Sequence, residues 1–197
     1  FLLILLGLAV LLWFTVIIGT FFIEKSLGDF GIKDKIALIR IEGTIVTSEK
    51  IIKQLKQYDR DPDIKAIVLR IDSPGGGVAA SQEIYDEVKK ISSKGKIILS
   101  SLGSVAASGG YYIAVGSQEI LANPGTITGS IGVIMLFPNA QELLKKIGLD
   151  TTVIKSGQYK DTGSFARAMT KDEEKLLQSV IDNVYGQFIQ VVSTGRN

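Results

Sequence analysis

The sequence of 197 residues contains no cysteine and no histidine. Without cysteine, the chain can form no disulfide, no thiolate zinc site and no cysteine nucleophile. Without histidine, a Ser-His-Asp triad, an HExxH zinc site and the commonest general base near neutral pH are excluded as well. Any acid–base chemistry must therefore use carboxylates, lysine, tyrosine or a hydroxyl group, and we expect neither a metal site nor a cofactor.

Net charge is also small. The 22 basic and 20 acidic residues leave a formal charge of +2. A nucleic-acid-binding domain usually carries a pronounced basic patch or a strongly basic balance. We therefore expect no nucleic-acid partner.

Residues 1–23 carry no charged side chain. A helix of that length measures about 35 Å, which is enough to cross a hydrocarbon core of about 30 Å. The alternatives are a buried core helix and a cleaved signal peptide, whose apolar region is usually shorter and ends in small residues. We interpret residues 1–23 as a retained single-pass transmembrane anchor, followed by a linker over residues 24–35. The charges after it balance, so they do not give its orientation.

Behind the linker, apolar runs of strand length alternate with stretches of helical periodicity. This alternation predicts stacked βαβ units and a largely parallel sheet, so the fold class is α/β. Strands are expected at residues 36–41, 64–71, 96–101 and 119–122. Helices are expected after a capping Ser48, at residues 79–91 and 109–115, and at residues 170–192 with Thr170 as the cap.

The first candidate site is the glycine-rich turn DSPGGG at residues 72–77. Free backbone N–H groups in a turn between a strand and a helix can stabilise an anion or a polarised carbonyl oxygen. Glycine there also lets a substrate approach the main chain closely. A plain tight turn is the alternative. The turn lacks the lysine of a P-loop, and no GxGxxG fingerprint is present.

The second candidate site is the stretch SVAASGGYY at residues 104–112. A serine at a helix entry, such as Ser108, can expose its hydroxyl, and the following N–H of Gly109 can stabilise an oxyanion. The alternative is an N-cap serine in a close-packed turn. Because histidine is absent, the base would be a lysine. Lys160 lies in a loop beyond an expected strand at residues 152–154, but spacing alone does not favour it over Lys155.

Four segments then occur in a fixed order: DSPGGG at 72–77, AASGGYYI at 106–113, TITGSIGV at 126–133 and YKD at 159–161. Together they resemble the signal peptide peptidase A family, which are membrane-anchored Ser-Lys proteases of the ClpP/crotonase fold. The resemblance covers residues 36–197 and is closest to the short forms with one catalytic domain. Family members continue with a further helical segment and a strand, so the resemblance implies that this domain lacks its C-terminal end.

The resemblance also implies roles for individual residues. Ser108 corresponds to the nucleophile, Lys160 to the general base, and the N–H groups of Gly75 and Gly109 to the oxyanion donors. Ser130 corresponds to a hydroxyl that orients the lysine amine. A lysine accepts a proton only when it is neutral, and a paired carboxylate favours its charged form. We therefore expect the adjacent Asp161 carboxylate to point away from the lysine.

The implied function is degradation of remnant signal peptides after signal peptidase has released them. It would take place at the cell membrane on the extracytoplasmic side, in a homo-oligomeric ring or dome that is generally an octamer. Apolar peptides and membrane lipid are the expected partners. Three alternatives remain, namely a stomatin-associated type of membrane Ser-Lys protease, a crotonase-like acyl-CoA enzyme and a non-catalytic membrane scaffold.

Overall fold

The computed structural model describes residue 7, residues 12–18 and residues 34–196. The predicted anchor (1–23) and linker (24–35) therefore lie mostly outside the described residues. Residues 12–18 are helical and exposed. Within the described ranges, no helix combines the length and the apolar character needed to cross a membrane.

A five-stranded parallel sheet forms the centre of the domain. Its order is β1-β2-β3-β4, and β5 pairs with the C-terminal part of β3. This architecture confirms the predicted mostly parallel α/β sheet. The strands are β1 (Lys35–Glu42), β2 (Ile64–Ser73), β3 (Ile97–Ala107), β4 (Glu119–Leu121) and β5 (Ile127–Gly129).

Helices make the crossover connections that parallel neighbours require. The connecting helices are α1 (Glu49–Arg60), α2 (Val78–Ser93) and α3 (Gly109–Ala114), and two further helices, α4 (Gln141–Lys146) and α5 (Lys171–Gly195), follow β5. Ser48 stands at the N-cap of α1 as predicted, but its hydroxyl donates to the Glu83 carboxylate instead of capping the helix. At α5 the predicted cap is complete, because Thr170 and Glu173 form a reciprocal capping box.

The core lies between one face of the sheet and α1, α2 and α3. Alternate side chains of β1 are buried, as the two-residue period of a strand requires. The core residues that are fully buried include Ile39, Leu55, Ile67, Leu69, Ile71, Ile84 and Ile98. This packing aligns β2 with β3, so that the turns after both strands meet at one edge of the sheet.

The structure differs from the sequence prediction in four places. β3 continues to Ala107 instead of ending near residue 101, because its small residues pair with β2 and with β5. The strand expected at residues 152–154 is not formed. Ile154 is 97% exposed there, and residues 152–154 have no sheet partner among the described residues. β5 and α4 were not predicted.

Candidate active site

Ser108 occupies the junction between β3 and α3. Its backbone has φ of +50° and ψ of −120°, a conformation that is uncommon for a residue with a side chain. Its N–H donates to the Gly129 carbonyl (2.8 Å), and its carbonyl accepts from the Tyr112 N–H (2.8 Å). The hydroxyl does not cap the helix. A serine held in such a strained turn between a strand and a helix is typical of a nucleophile.

The DSPGGG turn packs directly against this junction. Gly75 has φ of +100°, and a Cβ on it would lie 2.9 Å from the Ser108 Cβ. Gly109 packs closely against α2, because a Cβ on it would collide with the Ser81 side chain. The structure therefore brings Gly75, Ser108 and Gly109 together.

The N–H groups around Ser108 differ in their availability. The Gly75 N–H donates to the Ser73 hydroxyl (3.1 Å), which is buried. Gly109 is the first residue of α3, so its N–H has no acceptor inside the helix. Over residues 34–196, neither the Gly109 N–H nor the Gly76 N–H has a hydrogen-bond partner. Gly76 and Gly109, but not Gly75, line the cavity beside Ser108.

Ile45 explains the direction of the Gly76 N–H. The Ile45 N–H donates to the Gly75 carbonyl (2.9 Å), and the Ile45 carbonyl accepts from the Gly77 N–H (2.7 Å). In an extended chain the main-chain groups of successive residues point to opposite sides, so the Gly76 N–H points away from Ile45. Nothing in the sequence motif indicates this bridge, so the sequence alone does not identify Gly76 as a donor.

A narrow cavity of about 30 Å³ opens beside Ser108. Its apolar lining comes from Val78 on α2, Tyr112 on α3, Val133, and Val184 and Phe188 on α5. The cavity can therefore receive a small apolar group next to the Ser108 hydroxyl.

Aromatic contacts fix the wall of this cavity. The Tyr112 ring lies between Phe188 (centroids 5.0 Å apart) and Tyr85 (5.1 Å) in edge-to-face geometry. Burial raises the pKa of Tyr112, and a hydrogen bond with Gln82 acts in the opposite direction. Tyr112 is therefore a neutral wall residue at physiological pH.

Ser130 directly follows β5, the strand that pairs with the end of β3 just before Ser108. The Thr128 hydroxyl donates to the Ala106 carbonyl (2.7 Å), and the adjacent Gly129 carbonyl holds the Ser108 N–H. Ser130 itself is exposed and has φ of +50°. β5 thus attaches the segment that carries Ser130 to the end of β3.

The structure does not place Lys160 beside Ser108 and the two glycines. Its side chain is exposed, and it forms no ion pair or side-chain hydrogen bond within residues 34–196. It also does not line the cavity beside Ser108. The Asp161 carboxylate forms its ion pairs with Lys155 (2.6 Å) and Arg167 (2.8 Å) and, within residues 34–196, none with Lys160, which agrees with the expectation from the sequence.

Comparison with known proteins gives the family. The model of peptidase family S49 matches residues 90–197, and the Clp protease model matches residues 31–126. A candidate protease of Synechocystis sp. is 48% identical over 167 residues, which cover 84% of this chain and 60% of the relative. The chain belongs to peptidase family S49.

Other relatives agree with this S49 membership. Protease 4 of Haemophilus influenzae is 34% identical over 88% of this chain and 30% of its own length. A candidate signal peptide peptidase SppA of Enterococcus faecium is 35% identical over 88% of this chain and 54% of its own length. The chain therefore spans between about a third and three fifths of these relatives. A solved ClpP1 variant of Listeria monocytogenes overlaps 41% of this chain with 26% identity and a TM-score of 0.37.

Proposed function

We propose that this S49 chain is a serine endopeptidase with a Ser-Lys dyad of Ser108 and Lys160. The observation that carries the proposal is the strained Ser108 turn, which has the free Gly109 N–H beside it and a narrow apolar cavity next to it. Four ordered segments of the sequence support the same assignment. The proposal includes the ClpP/crotonase type of fold for residues 36–197.

In the proposed reaction, the Ser108 Oγ attacks the carbonyl carbon of the scissile peptide while the neutral Lys160 amine takes the hydroxyl proton. The oxyanion accepts a hydrogen bond from the Gly109 N–H and a second one from the DSPGGG turn. The resulting ammonium returns the proton to the leaving amine, which leaves an acyl-enzyme. Water, deprotonated by the same amine, then hydrolyses the ester and restores Ser108.

The second oxyanion donor is best assigned to Gly76. The sequence resemblance pointed to Gly75, but the Gly75 N–H is held by the Ser73 hydroxyl. The Gly76 N–H is free among the described residues and lines the cavity with Ser108. In this assignment Gly75 shapes the turn, and its neighbour donates the hydrogen bond.

The exposed position of Lys160 supports an assembled active form. Large apolar side chains are exposed throughout the segment around it, and a monomeric domain rarely leaves so many uncovered. We propose that the homo-oligomer covers this segment and brings Lys160, with Ser130 orienting its amine, to a Ser108 site. The exposed set is Ile127, Ile134, Met135, Leu136, Phe137, Leu143, Ile147, Leu149, Val153, Ile154, Tyr159 and Phe165.

The proposed substrates are apolar peptides, in particular remnant signal peptides after their release by signal peptidase. The small apolar cavity beside Ser108 supports a preference for a short apolar side chain at the cleavage site. The proposal also includes anchoring to the cell membrane through residues 1–23, an extracytoplasmic catalytic domain, and a ring or dome that is an octamer by resemblance.

A fluorophosphonate probe tests the chemistry, because it reacts with an activated serine. Labelling of Ser108 in the full-length protein supports a protease, and unlabelled Ser108 contradicts the proposal and favours an acyl-CoA enzyme or a scaffold. Hydrolysis of a signal-peptide remnant in preference to a stomatin tail supports the substrate class. Deletion of residues 1–23 should release the protein from membranes while leaving hydrolysis of short soluble peptides intact.

A further inference from the structure

A network of ion pairs joins the turn that carries Lys160 to the start of α5. Asp161 is its centre, and its carboxylate binds the Lys155 amine (2.6 Å) and the Arg167 Nε (2.8 Å). The Arg167 guanidinium also binds both oxygens of Glu173, at 2.5 and 2.8 Å. Such fork-like pairing fixes the orientation of both groups.

This network is far more buried than an ordinary surface ion pair. Glu173 is 2% exposed, and the Asp161 side chain is 12% exposed. Glu173 also accepts hydrogen bonds from the Thr162 hydroxyl (3.1 Å) and from the Thr170 N–H (2.8 Å). Hydrogen bonds from Arg167 hold the pKa of both carboxyl groups well below their usual range. Both are therefore ionised at neutral pH.

Arg167 also holds the main chain of the turn. Its guanidinium donates to the Asp161 carbonyl (3.3 Å), and the Ser164 N–H donates to the same carbonyl (3.0 Å). The Thr162 N–H closes the turn onto the Tyr159 carbonyl (3.2 Å). The residue directly after Lys160 is thus fixed through both its side chain and its carbonyl group.

We propose that Arg167 and Glu173 are positioning residues for the Lys160 base. This proposal rests on the function proposed above. They orient the turn, and they keep the Asp161 carboxylate on Arg167 and Lys155 so that it does not pair with Lys160. Lys155 and Arg167 are the charged groups that face Asp161, and no charged group within residues 34–196 is paired with Lys160. A network that served only to start α5 would not need to bind Asp161, because Thr170 and Glu173 already form the capping box.

The experiment compares Arg167→Gln with Arg167→Gln/Asp161→Asn in the full-length protein. The control is Lys145→Gln, which removes an exposed ion pair with Glu142. Two quantities are measured as functions of pH: kcat/KM on an apolar peptide, and the NMR signal of the Lys160 side chain, assigned with Lys160→Met. The freed carboxylate in Arg167→Gln should favour the charged amine and move both midpoints upward by about one pH unit. The kcat/KM at neutral pH should then fall by about tenfold.

The added Asp161→Asn change should return both midpoints towards their original pH, because the carboxylate charge is gone, while thermal stability stays low. A purely structural role predicts a lower unfolding temperature with unchanged pH midpoints, and that result overturns the proposal. The proposal is also overturned if the added Asp161→Asn change does not restore the midpoints. If Arg167→Gln does not fold, Lys155→Met removes the more exposed partner of Asp161 and should give a smaller shift in the same direction. An inactive wild-type protein refutes the proposed function alone, because the NMR midpoint still reports the effect of Arg167.

Discussion

A Cβ atom on Gly75 would lie 2.7 Å from the amide nitrogen of Gly109, a distance that real Cβ contacts do not reach. The turn after β2 and the start of α3 therefore touch through their main chains. Because the Gly109 N–H is a proposed oxyanion donor, the size of residue 75 controls the geometry of the site. Gly75 also has φ of +100°, so a larger residue there suffers both strain and collision.

Gly75→Ala and Gly95→Ala separate these two effects. Gly95 has nearly the same φ (+97°), but nothing lies within 4 Å of the added Cβ. Gly95→Ala should cost about 1–2 kcal/mol of unfolding free energy from backbone strain alone and leave the labelling rate unchanged. Gly75→Ala should cost more and abolish fluorophosphonate labelling of Ser108. Labelling of Gly75→Ala at the parent rate would show that the contact is not part of the site.

Ser108→Ala should remove peptide hydrolysis while the protein still folds. The Ser108 side chain makes no capping hydrogen bond, so its loss should cost less than the ~1 kcal/mol of a functional cap. Ser104→Ala is the matched control, because Ser104 is an exposed serine of the same strand. Hydrolysis and thermal unfolding are measured for both. Near-parental turnover in Ser108→Ala would assign the nucleophile elsewhere.

Apolar runs and helical periodicity in the sequence predicted the strands and helices that form the core. β1 and β2 fall within two residues of their predicted ends, because each is an apolar run of strand length. The start of α5 was predicted from Thr170 and the acidic residues after it, and the capping box explains why. These signals are local, and each depends on residues that are close in sequence.

The remaining features depend on contacts between distant segments. The end of β3 was read as a turn because small residues have no periodic signal, yet it pairs with β5. β5 has three residues, too few for any pattern. Among residues 34–196 the Gly76 N–H is free because of a bridge to Ile45, which lies 31 positions earlier in the sequence. The sequence motifs indicated where the candidate site lies. Only the fold shows which main-chain N–H groups around Ser108 have no hydrogen-bond partner among residues 34–196.

The Arg167 network should make the stability of the protein sensitive to acid. The pKa of Glu173 is lowered in the folded state, first of all by its hydrogen bond with Arg167. A lowered pKa stabilises the fold above the unfolded pKa of about 4.3, and this contribution is lost as pH falls towards the folded value. The unfolding temperature should therefore drop between about pH 5 and pH 3.

Glu173→Gln is the test of this acid sensitivity. It should unfold at a lower temperature than the parent at pH 7, with a smaller further drop on acidification, because the titrating group is absent. Glu174→Gln is the control, since Glu174 is exposed in the same helical turn. It should keep the steep dependence of the parent. An equally steep decline in Glu173→Gln would place the acid-sensitive group elsewhere.

Lys160→Met should abolish both hydrolysis and fluorophosphonate labelling while folding is retained. Methionine keeps a similar volume and removes the amine that accepts the Ser108 proton, and the exposed position of Lys160 limits the cost to stability. In the parent, kcat/KM should rise from neutral to alkaline pH, because only the neutral amine acts as the base. Lys155→Met is the matched control and should retain turnover with a displaced pH profile, since Lys155 binds Asp161. If Lys160→Met labels like the parent while Lys155→Met is inactive, the base is Lys155.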